Sequence, residues 1–327
     1  MTGGSSYVIT LPKEWIKKTN IKKNDSLGLL SQSDGTLLIS PKMIDTQTEK
    51  FKIFKVNDST NLDFFLRQLV GAYIAGYSSI KIISQKGMPS KVRDIIRKFT
   101  QITIGQEVVE ETDNSIIIKD LLNPTEMPFK TTIKRMHIIV KSMHEDSINA
   151  LVKGNKNIQE EILLRDNDVD RLYWLVARQY NIILQNVNLA EKMGITIKIG
   201  LAYFLISKKI ERMGDHVVKI AQNVAQISNN KLDEKIVIKI QSASNLALDI
   251  FNKSIGSFFR KDIAESSKNI DSVKNLEKIC EEINKLTFKS ESSTAISISY
   301  IVESIRRIGE YAEDISETTI NYSIGEN

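Results

Sequence analysis

Four carboxylates at helical spacing are the residues of this 327-residue chain with the clearest chemistry. Asp166 and Asp170 lie one turn apart in one predicted helix, and Glu211 and Asp215 lie one turn apart in the next. Like charges at this spacing destabilise an isolated helix by roughly a few tenths of a kcal/mol, so two such pairs call for a reason. If the two pairs face each other, a cation would offset their repulsion, and oxygen ligands suit Mg²⁺, Mn²⁺ or iron.

The same spacing also permits a structure without a metal. His216, which follows Asp215, could add a nitrogen ligand to a metal site. In the alternative, both acidic pairs face solvent and form ion pairs with basic neighbours on the same helices. Acid-rich helix faces are common, so the spacing alone leaves both interpretations open. The basic residues available for such ion pairs are Arg165, Arg171, Lys208 and Arg212.

The segment around Glu211 recurs, altered, 95 residues later in the chain. Ile210-Glu211-Arg212-Met213-Gly214-Asp215-His216 aligns with Ile305-Arg306-Arg307-Ile308-Gly309-Glu310-Tyr311, and the glycine and the following carboxylate are kept. A repeat of this kind indicates a duplicated unit. Glycine in a helix interior costs about 1 kcal/mol relative to alanine. The repeated glycine therefore indicates close approach of another helix, or space for something between helices.

The elements that position these residues are predicted to be long helices. No proline follows Pro128, and helical periodicity continues to the C-terminus. Long helices with short connections favour antiparallel neighbours, so residues 124–327 are predicted to form a tandem of two three-helix bundles, with repeats over about 130–228 and 233–323. The expected breaks between helices lie near Gly154, Gly194, Asn229-Asn230, Lys261 and Ser290.

Residues 51–123 are predicted to form a small α/β connecting domain. Strands are expected over 51–56, 79–84, 107–110 and 115–119, with helices over 62–76 and 89–100. No glycine cluster precedes a helix, so nucleotide binding has no support from a phosphate-loop motif. A docking or spacer role and a small-ligand sensor role both remain open for this domain.

Residues 1–50 are predicted to form short strands and one short helix. Strands are expected over 6–11, 27–30 and 36–39, with a hairpin turn at Asp34-Gly35 and a helix from Lys13 to Lys18 after Pro12. Residues 1–56 hold nine lysines and five acidic residues, a net charge of +4. This local excess is a weak electrostatic footprint for nucleic acid, and a solvated lysine-rich surface is the plainer alternative.

The other chemistry-bearing residues favour structural roles. His137 and His144 lie on one stripe of the first long helix and are interpreted as packing or surface residues. Cys280, the one cysteine, excludes an internal disulfide and is expected to be a buried small hydrophobe. No catalytic triad or activated nucleophile stands out, so we expect a protein that is not an enzyme. No apolar run is long enough to cross a bilayer and no signal peptide is evident, which favours a cytoplasmic location.

The repeated helical segments resemble the signature of the PhoU phosphate-uptake regulators. In that family a similar glycine-containing motif closes each three-helix half, and the preceding helix carries an aspartate-rich stretch, which here is Asp166-Asn167-Asp168-Val169-Asp170. The resemblance covers roughly residues 130–323. It implies a dimeric or larger regulator that binds metal ions, with iron, manganese, magnesium or zinc open, and that acts through a phosphate transporter or a signalling protein.

Residues 3–15, with the pattern Gly3-Gly4-Ser5-Ser6-Tyr7-Val8-Ile9-Thr10-Leu11-Pro12-Lys13-Glu14-Trp15, resemble the SpoVT/AbrB swapped-hairpin DNA-binding domain. Such a domain needs two chains to complete one fold, so it implies a homodimer. Its fusion to PhoU halves is typical of archaeal proteins. By this resemblance the residues expected to contact the backbone of double-stranded DNA are Lys13, Lys17, Lys18, Lys22 and Lys23.

Together these features favour a dimeric, metal-binding regulator of phosphate uptake and homeostasis that binds DNA through its N-terminal domain and acts in transcription or signalling. Two alternatives remain open: a DNA-independent adaptor that modulates a phosphate transporter or kinase, and, more remotely, a metal-dependent phosphohydrolase built on the carboxylates. The chain begins inside the swapped-hairpin motif, so its first strand is expected to be missing, which would reduce DNA binding.

The second half of the duplication departs from the first at the metal-binding positions. Arg306 stands where the first half has Glu211, and Ser267 corresponds to Asp166. A cation at Arg306 would repel a metal ion or occupy its place. We therefore expect one competent metal site in the first half and a weaker or absent one in the second, at Asp271, Glu310 and Asp314.

Overall fold

The computed structural model describes residues 7–31, 35–41, 50–155, 157–227, 232–288 and 290–325. The chain divides into two compact units, Met1–Glu49 and Lys50–Asn327, and each is described by itself. The predicted positions at Ser6, at Asp34 and at Asn229-Asn230 lie outside the described residues.

The described residues of the N-terminal unit form one short helix and one two-stranded sheet. Helix α1 spans Lys13–Thr19 and ends at Asn20, which adopts the left-handed conformation at φ 55°. Strand β1, Gly28–Ser31, pairs antiparallel with β2, Leu37–Ser40. The strand predicted for residues 6–11 is wrong for residues 7–11, which form no regular structure. Within the described residues no strand pairs with that segment, and an extended segment becomes a strand only when another strand pairs with it.

The middle part of the chain is a four-stranded sheet with two helices on one face. The sheet order is β3-β4-β6-β5, with β3 and β4 parallel and the remaining pairs antiparallel. Side chains of both helices, among them Phe65 and Phe99, are buried in one core with Ile80, Ile82 and Ile118 of the sheet. The predicted α/β domain is confirmed in its elements, which are β3 Phe51–Val56, α2 Leu62–Ile74, β4 Ser79–Ser84, α3 Ser90–Ile102, β5 Gln106–Glu111 and β6 Ser115–Asp120.

The C-terminal part contains the six long helices that the periodicity predicts, and one short helix that it does not. Gly154, at φ 68°, and Lys261, at φ 57°, end their helices in the left-handed conformation, which satisfies the last backbone groups. A 3₁₀ turn at Pro124–Glu126 precedes the bundle. The helices are α4 Phe129–Lys153, α5 Ile158–Gln185, α6 Val187–Lys192, α7 Ile197–Gln226, α8 Glu234–Arg260, α9 Ile263–Thr287 and α10 Ser292–Ile324.

The two three-helix bundles share one continuous hydrophobic core. Helices α4, α5 and α7 form the first bundle and α8, α9 and α10 the second, and α7 packs along α10 between them. Two histidines join α4 to α8: His137 Nε2 lies 2.8 Å from Asn252 Oδ1, and His144 Nε2 lies 2.8 Å from Ser244 Oγ. The prediction that these histidines serve packing is confirmed, as is the burial of Cys280.

A buried arginine on α5 connects the helical bundle to the α/β part of the same unit. Arg178 is 3% exposed, and its Nε donates to Asp120 Oδ2 at 2.9 Å. The guanidinium also donates to the backbone carbonyls of Tyr73 and Tyr77, and it lies 4.8 Å from the centre of the Tyr73 ring. The sheet end, the end of α2 and the middle of α5 are therefore held by one cation.

Within the described residues, no helix is both long enough and apolar enough to span a membrane.

Candidate metal centre

The two repeated glycines lie where another helix approaches closely, as the sequence predicts. A Cβ atom at Gly214 would lie 2.7 Å from Asp166 Oδ1 on α5, and 3.7 Å from side-chain carbons of Val140 and Val169. A Cβ atom at Gly309 would overlap the side chain of Leu276 on α9. The same glycine thus faces a carboxylate in the first half and a leucine in the second half.

The four predicted carboxylates of the first half interact across α5 and α7. Burial and, in decreasing order of size, the charges of Asp170, Asp215 and Glu211 together raise the pKa of Asp166 to about 7. Burial likewise raises the pKa of Asp170 to about 6, with Glu211 and then Asp215 adding to the shift. All four side chains are half-buried. The structure therefore brings the four carboxylates together, and they repel one another. We call this group, Asp166, Asp170, Glu211 and Asp215, the acidic cluster.

Basic neighbours compensate only the α7 half of the acidic cluster. Lys208 Nζ lies 2.7 Å from Glu211 Oε1, and Arg212 Nη1 lies 3.4 Å from Asp215 Oδ2. On α5, neither Asp166 nor Asp170 has an ion pair within the described part of the chain. The two basic residues that could have served them are engaged elsewhere, since Arg165 pairs with Asp146 and Glu161, and Arg171 with Asp168.

Two oxygens of the acidic cluster are buried without a hydrogen-bond partner. These atoms are Asp166 Oδ1 and Glu211 Oε2. Burying an ionised oxygen without a partner is costly, and a bound cation is one way to remove that cost. As placed, however, the His, Cys, Asp and Glu side chains of the described residues form no group of three or more that could hold a metal ion. A cation at the cluster would therefore have to replace Lys208 and Arg212 as partners of the α7 carboxylates.

His216 points away from the acidic cluster and toward the second bundle. Its ring lies 5.8 Å from the ring of Tyr311 on α10. Burial, followed by the charges of Lys219 and Arg307, lowers the pKa of His216 to about 4, so the ring is neutral at pH 7.

In the second half, an arginine occupies the corresponding place among acidic side chains. Arg306 Nη2 lies 2.7 Å from Glu303 Oε1, and Nη1 pairs with Glu310. Asp271 is exposed and pairs with Lys274 at 3.2 Å. Asp314 pairs instead with Lys209 of α7 at 2.6 Å, which makes it a contact between bundles. The three weaker predicted positions are thus not gathered in one cluster.

The five lysines predicted to contact DNA are all exposed in the N-terminal unit. Three lie on or next to α1, and two lie in the turn that follows it, where the Lys22 backbone N–H donates to Asp25 Oδ2 at 2.7 Å. The exposed lysines are Lys13, Lys17, Lys18, Lys22 and Lys23.

The sequence alone did not reveal the Arg178 connection to the α/β part. A signal was present, because Arg178 and Gln179 interrupt an apolar run that continues on both sides of them in α5. Gln179 donates through Nε2 to the carbonyls of Pro124 and Met127, at 3.1 and 2.8 Å. Polar residues inside an apolar helix stripe indicate buried partners, but not which segment supplies them.

The fold and the acidic cluster together define a protein built on tandem three-helix bundles, with carboxylates gathered in the first bundle. The sequence profile of the PhoU domain matches residues 133–224 and 240–319, which together exceed half of the chain. The chain therefore belongs to the PhoU domain family. Residues 1–47 match the profile of the MazE bacterial antitoxin, described as antidote-toxin recognition, which confirms an AbrB-like N-terminal resemblance. An archaeal origin stays a prediction.

Relatives and solved structures agree with this assignment. The chain is 23% identical over 214 residues to the phosphate-specific transport system accessory protein PhoU homolog 1 of Thermotoga maritima, covering 61% of this chain and 87% of the relative. The corresponding Clostridium acetobutylicum homolog is 24% identical over 200 residues, which cover 57% of this chain and 86% of the relative.

The crystal structure of PhoU from Pseudomonas aeruginosa has the same fold, with a TM-score of 0.54, 17% identity, and coverage of 60% of this chain and 96% of that one. The crystal structure of the phosphate transport system regulatory protein PhoU from Streptococcus pneumoniae gives a TM-score of 0.53 at 16% identity. The match covers 60% of this chain and 94% of that one.

Proposed function

We propose that this protein regulates phosphate uptake by acting on a phosphate transport system. The observation that carries the proposal is the match of both bundles to the PhoU domain, together with relatives that are named phosphate-specific transport system accessory proteins. The role is regulatory rather than catalytic, and it is exerted in the cytoplasm. A transporter, or a kinase that controls one, is the expected partner protein.

Phosphate uptake in the organism that encodes this chain tests the proposal. Deleting the gene should leave uptake of radiolabelled phosphate high even when phosphate is abundant, and expressing the intact chain should restore its repression. Unchanged uptake at both low and high phosphate in the deletion strain would exclude this function. A strain that expresses the Lys98→Gln variant, altered at an exposed lysine of α3, serves as the matched positive control.

The N-terminal unit extends the proposal to a DNA-binding dimer. Its support is the match to an antitoxin domain and the five exposed lysines of α1 and the following turn. The unit also exposes apolar side chains that a second copy would cover: Tyr7 is 102% exposed, Val8 85% and Leu29 60%. Apolar surface of this kind marks an association site.

DNA binding is tested by measuring affinity for short duplexes at several salt concentrations. Each phosphate contact that is lost should make the slope of log K against log salt shallower by about 1. Lys22→Gln combined with Lys23→Gln should therefore weaken binding and flatten the slope, whereas Lys98→Gln should change neither. If the wild-type chain does not bind at about 50 mM salt, the DNA-independent adaptor role remains.

The acidic cluster extends the proposal to a divalent cation. Its support is the two buried oxygens without a hydrogen-bond partner and the raised pKa of both α5 aspartates, which burial and mutual repulsion cause. Asp166, Asp170, Glu211 and Asp215 are the residues that would hold the ion, and their oxygen atoms suit Mg²⁺, Mn²⁺ or iron better than a structural Zn²⁺. The ion would neutralise the cluster and fix α5 against α7.

Elemental analysis of protein purified without chelators tests the cation site. Asp170→Asn should lower the bound metal while leaving the helical circular dichroism unchanged. Asp168→Asn, on the same helix but paired with Arg171 at 3.6 Å, should keep the metal. Absence of iron, manganese, magnesium and zinc from the wild-type protein, with no stabilisation when each is added, would exclude the site.

A further inference from the structure

A cavity of about 290 Å³ opens at one end of the tandem bundle, and none of the four residues of the acidic cluster lines it. It lies between the start of α4, the start of α7 and the ends of α8 and α10. Its wall is both cationic and aromatic, which is an unusual combination for a surface hollow. The lining side chains that matter here are Lys130, Tyr203, Phe258, Phe259, Lys261 and Tyr322.

Lys130 and Lys261 line this cavity, and two further lysines lie over aromatic rings of its wall. Lys130 and Lys134 place Nζ at 5.6 and 5.5 Å from the centre of the Phe259 ring. Lys198 and Lys261 place Nζ at 5.8 and 5.5 Å from the centre of the Tyr322 ring. Cation–π attraction of this kind holds a cation in place without neutralising its charge.

Three of these four lysines have no acidic partner within the described residues. Within the described residues, Lys130, Lys134 and Lys198 take part in no ion pair. Asp262, the acid next in sequence, caps α9 by accepting from the Glu265 N–H at 2.9 Å. Several like charges converging on one hollow repel each other, and an anion in the hollow would remove that repulsion.

Tyr203 supplies an unpartnered hydroxyl to the same cavity. The residue is 8% exposed, and its ring stacks on Phe129 at 5.4 Å and meets Phe258 edge to face at 5.3 Å. Its hydroxyl makes no hydrogen bond with any described residue and is reached by solvent. Burial raises the pKa of Tyr203, so the hydroxyl keeps its proton and remains a donor.

We propose that this cavity binds a small phosphate ester that carries an aromatic group, with the chemistry of a nucleoside monophosphate. The lysines and the Tyr203 hydroxyl bind the phosphate, and the rings of Phe258, Phe259 and Tyr322 contact the aromatic group. Free phosphate would leave these apolar walls in contact with water. The volume is near the lower end of the range for ligand pockets, which suits a small ligand. The proposal concerns binding only and does not rest on the transport function.

Calorimetric titration of the full chain tests the site, with phenyl phosphate as the minimal probe and adenosine monophosphate as the larger one. Phenyl phosphate should bind about tenfold or more tightly than inorganic phosphate or benzyl alcohol, because each of these has only half of the required chemistry. If neither ester binds at concentrations up to about 10 mM, or if inorganic phosphate binds as tightly as phenyl phosphate, the proposal is overturned.

Variants locate the binding at this cavity. Lys130→Glu should weaken phenyl phosphate binding roughly tenfold or more, since it removes a charged partner and adds a repelling one. Lys235→Glu, at the opposite end of α8 from the cavity, is the matched control and should bind as the wild type does. Tyr203→Phe removes only the unpartnered hydroxyl, so it should weaken binding without lowering Tm. Equal affinity of Lys130→Glu and the control would overturn the assignment.

Discussion

At the scale of single residues, the carboxylates of the acidic cluster repel one another, and either protonation or a bound cation would remove that repulsion. Asp166 and Asp170 sit against α7 with no basic partner in the described part of the chain, while Lys208 and Arg212 compensate the α7 acids. The helical spacing predicted that the four side chains would share one region. It did not predict which half would be compensated, because that depends on where Arg165 and Arg171 find acids elsewhere on the surface.

Asp166→Asn is expected to stabilise the metal-free protein in a pH-dependent way. An acid whose folded-state pKa is raised from 3.8 to about 7 is harder to ionise in the folded state than in the unfolded state. The destabilisation is therefore absent below about pH 4, grows through the window between the two values, and is complete above about pH 7. At pH 8, with chelator present, the variant should be more stable than the wild type by roughly 1–2 kcal/mol, after discounting for solvent screening.

Urea unfolding at pH 5 and pH 8 measures this difference between variant and wild type. Because the variant and the wild type contain the same histidines, the histidine contribution to the pH dependence of stability cancels in this difference. Asp168→Asn is the control, and it should show no comparable gain at pH 8. A gain for Asp166→Asn that is the same at both pH values would contradict the origin assigned to it. Added Mn²⁺ should stabilise the wild type and leave the variant unchanged.

At the scale of helices, the duplicated glycine has two different structural consequences. Gly309 faces Leu276, a fully buried side chain, whereas Gly214 faces the carboxylate end of Asp166. Gly309→Ala should destabilise the protein by up to about 2 kcal/mol, because overpacking a core costs roughly 1–3 kcal/mol and the helix gains about 1 kcal/mol.

Gly214→Ala should have a smaller effect on stability, because the end of a polar side chain moves more readily than a packed leucine. Its expected effect is instead on the acidic cluster, where displacement of Asp166 should lower cation binding. Thermal unfolding and elemental analysis of both variants separate the two outcomes. Equal destabilisation, with metal content unchanged in both, would show that the two glycines serve the same packing role.

Among the contacts between elements, the Arg178 connection is the one whose loss should lower the free energy of unfolding most. Arg178→Met would leave Asp120 buried without its cation, at 11% side-chain exposure, and would remove a donor from the backbone carbonyls of Tyr73 and Tyr77. Removing one member of a buried ion pair typically costs about 3–5 kcal/mol. Combining Arg178→Met with Asp120→Asn should recover part of this loss, and a double-mutant cycle in urea measures the coupling. Additive effects of the two substitutions would contradict direct coupling.

The predictability of elements follows from how local their causes are. The long helices were predictable because the spacing of apolar residues and the breaks at Gly154, Gly194 and Lys261 depend on residues close to one another in the sequence. The Arg178 connection was not, since its partners lie 58, 101 and 105 residues away. The strand predicted before Pro12 failed for a related reason: an extended apolar segment becomes a strand only when another strand pairs with it.

At the scale of the whole molecule, the division after Glu49 separates two kinds of surface. The N-terminal unit exposes lysines and apolar side chains, and its described part has few buried residues. The remainder has two hydrophobic cores of its own, one in the α/β part and one running through all six long helices. Its stability should therefore not depend on the first unit.

A chain of residues 50–327 is accordingly expected to fold cooperatively, with a Tm within a few degrees of the intact protein. It should keep the stabilisation by divalent cation, because every residue of the acidic cluster lies in it, and it should lose binding to duplex DNA. Circular dichroism melting with and without Mn²⁺, and DNA titration at about 50 mM salt, measure these three properties. If the shortened chain still bound DNA, the nucleic-acid contacts would have to lie in the helical part and not on α1. If the shortened chain did not fold, the first unit would be required for the stability of the remainder and would not be a separate binding module.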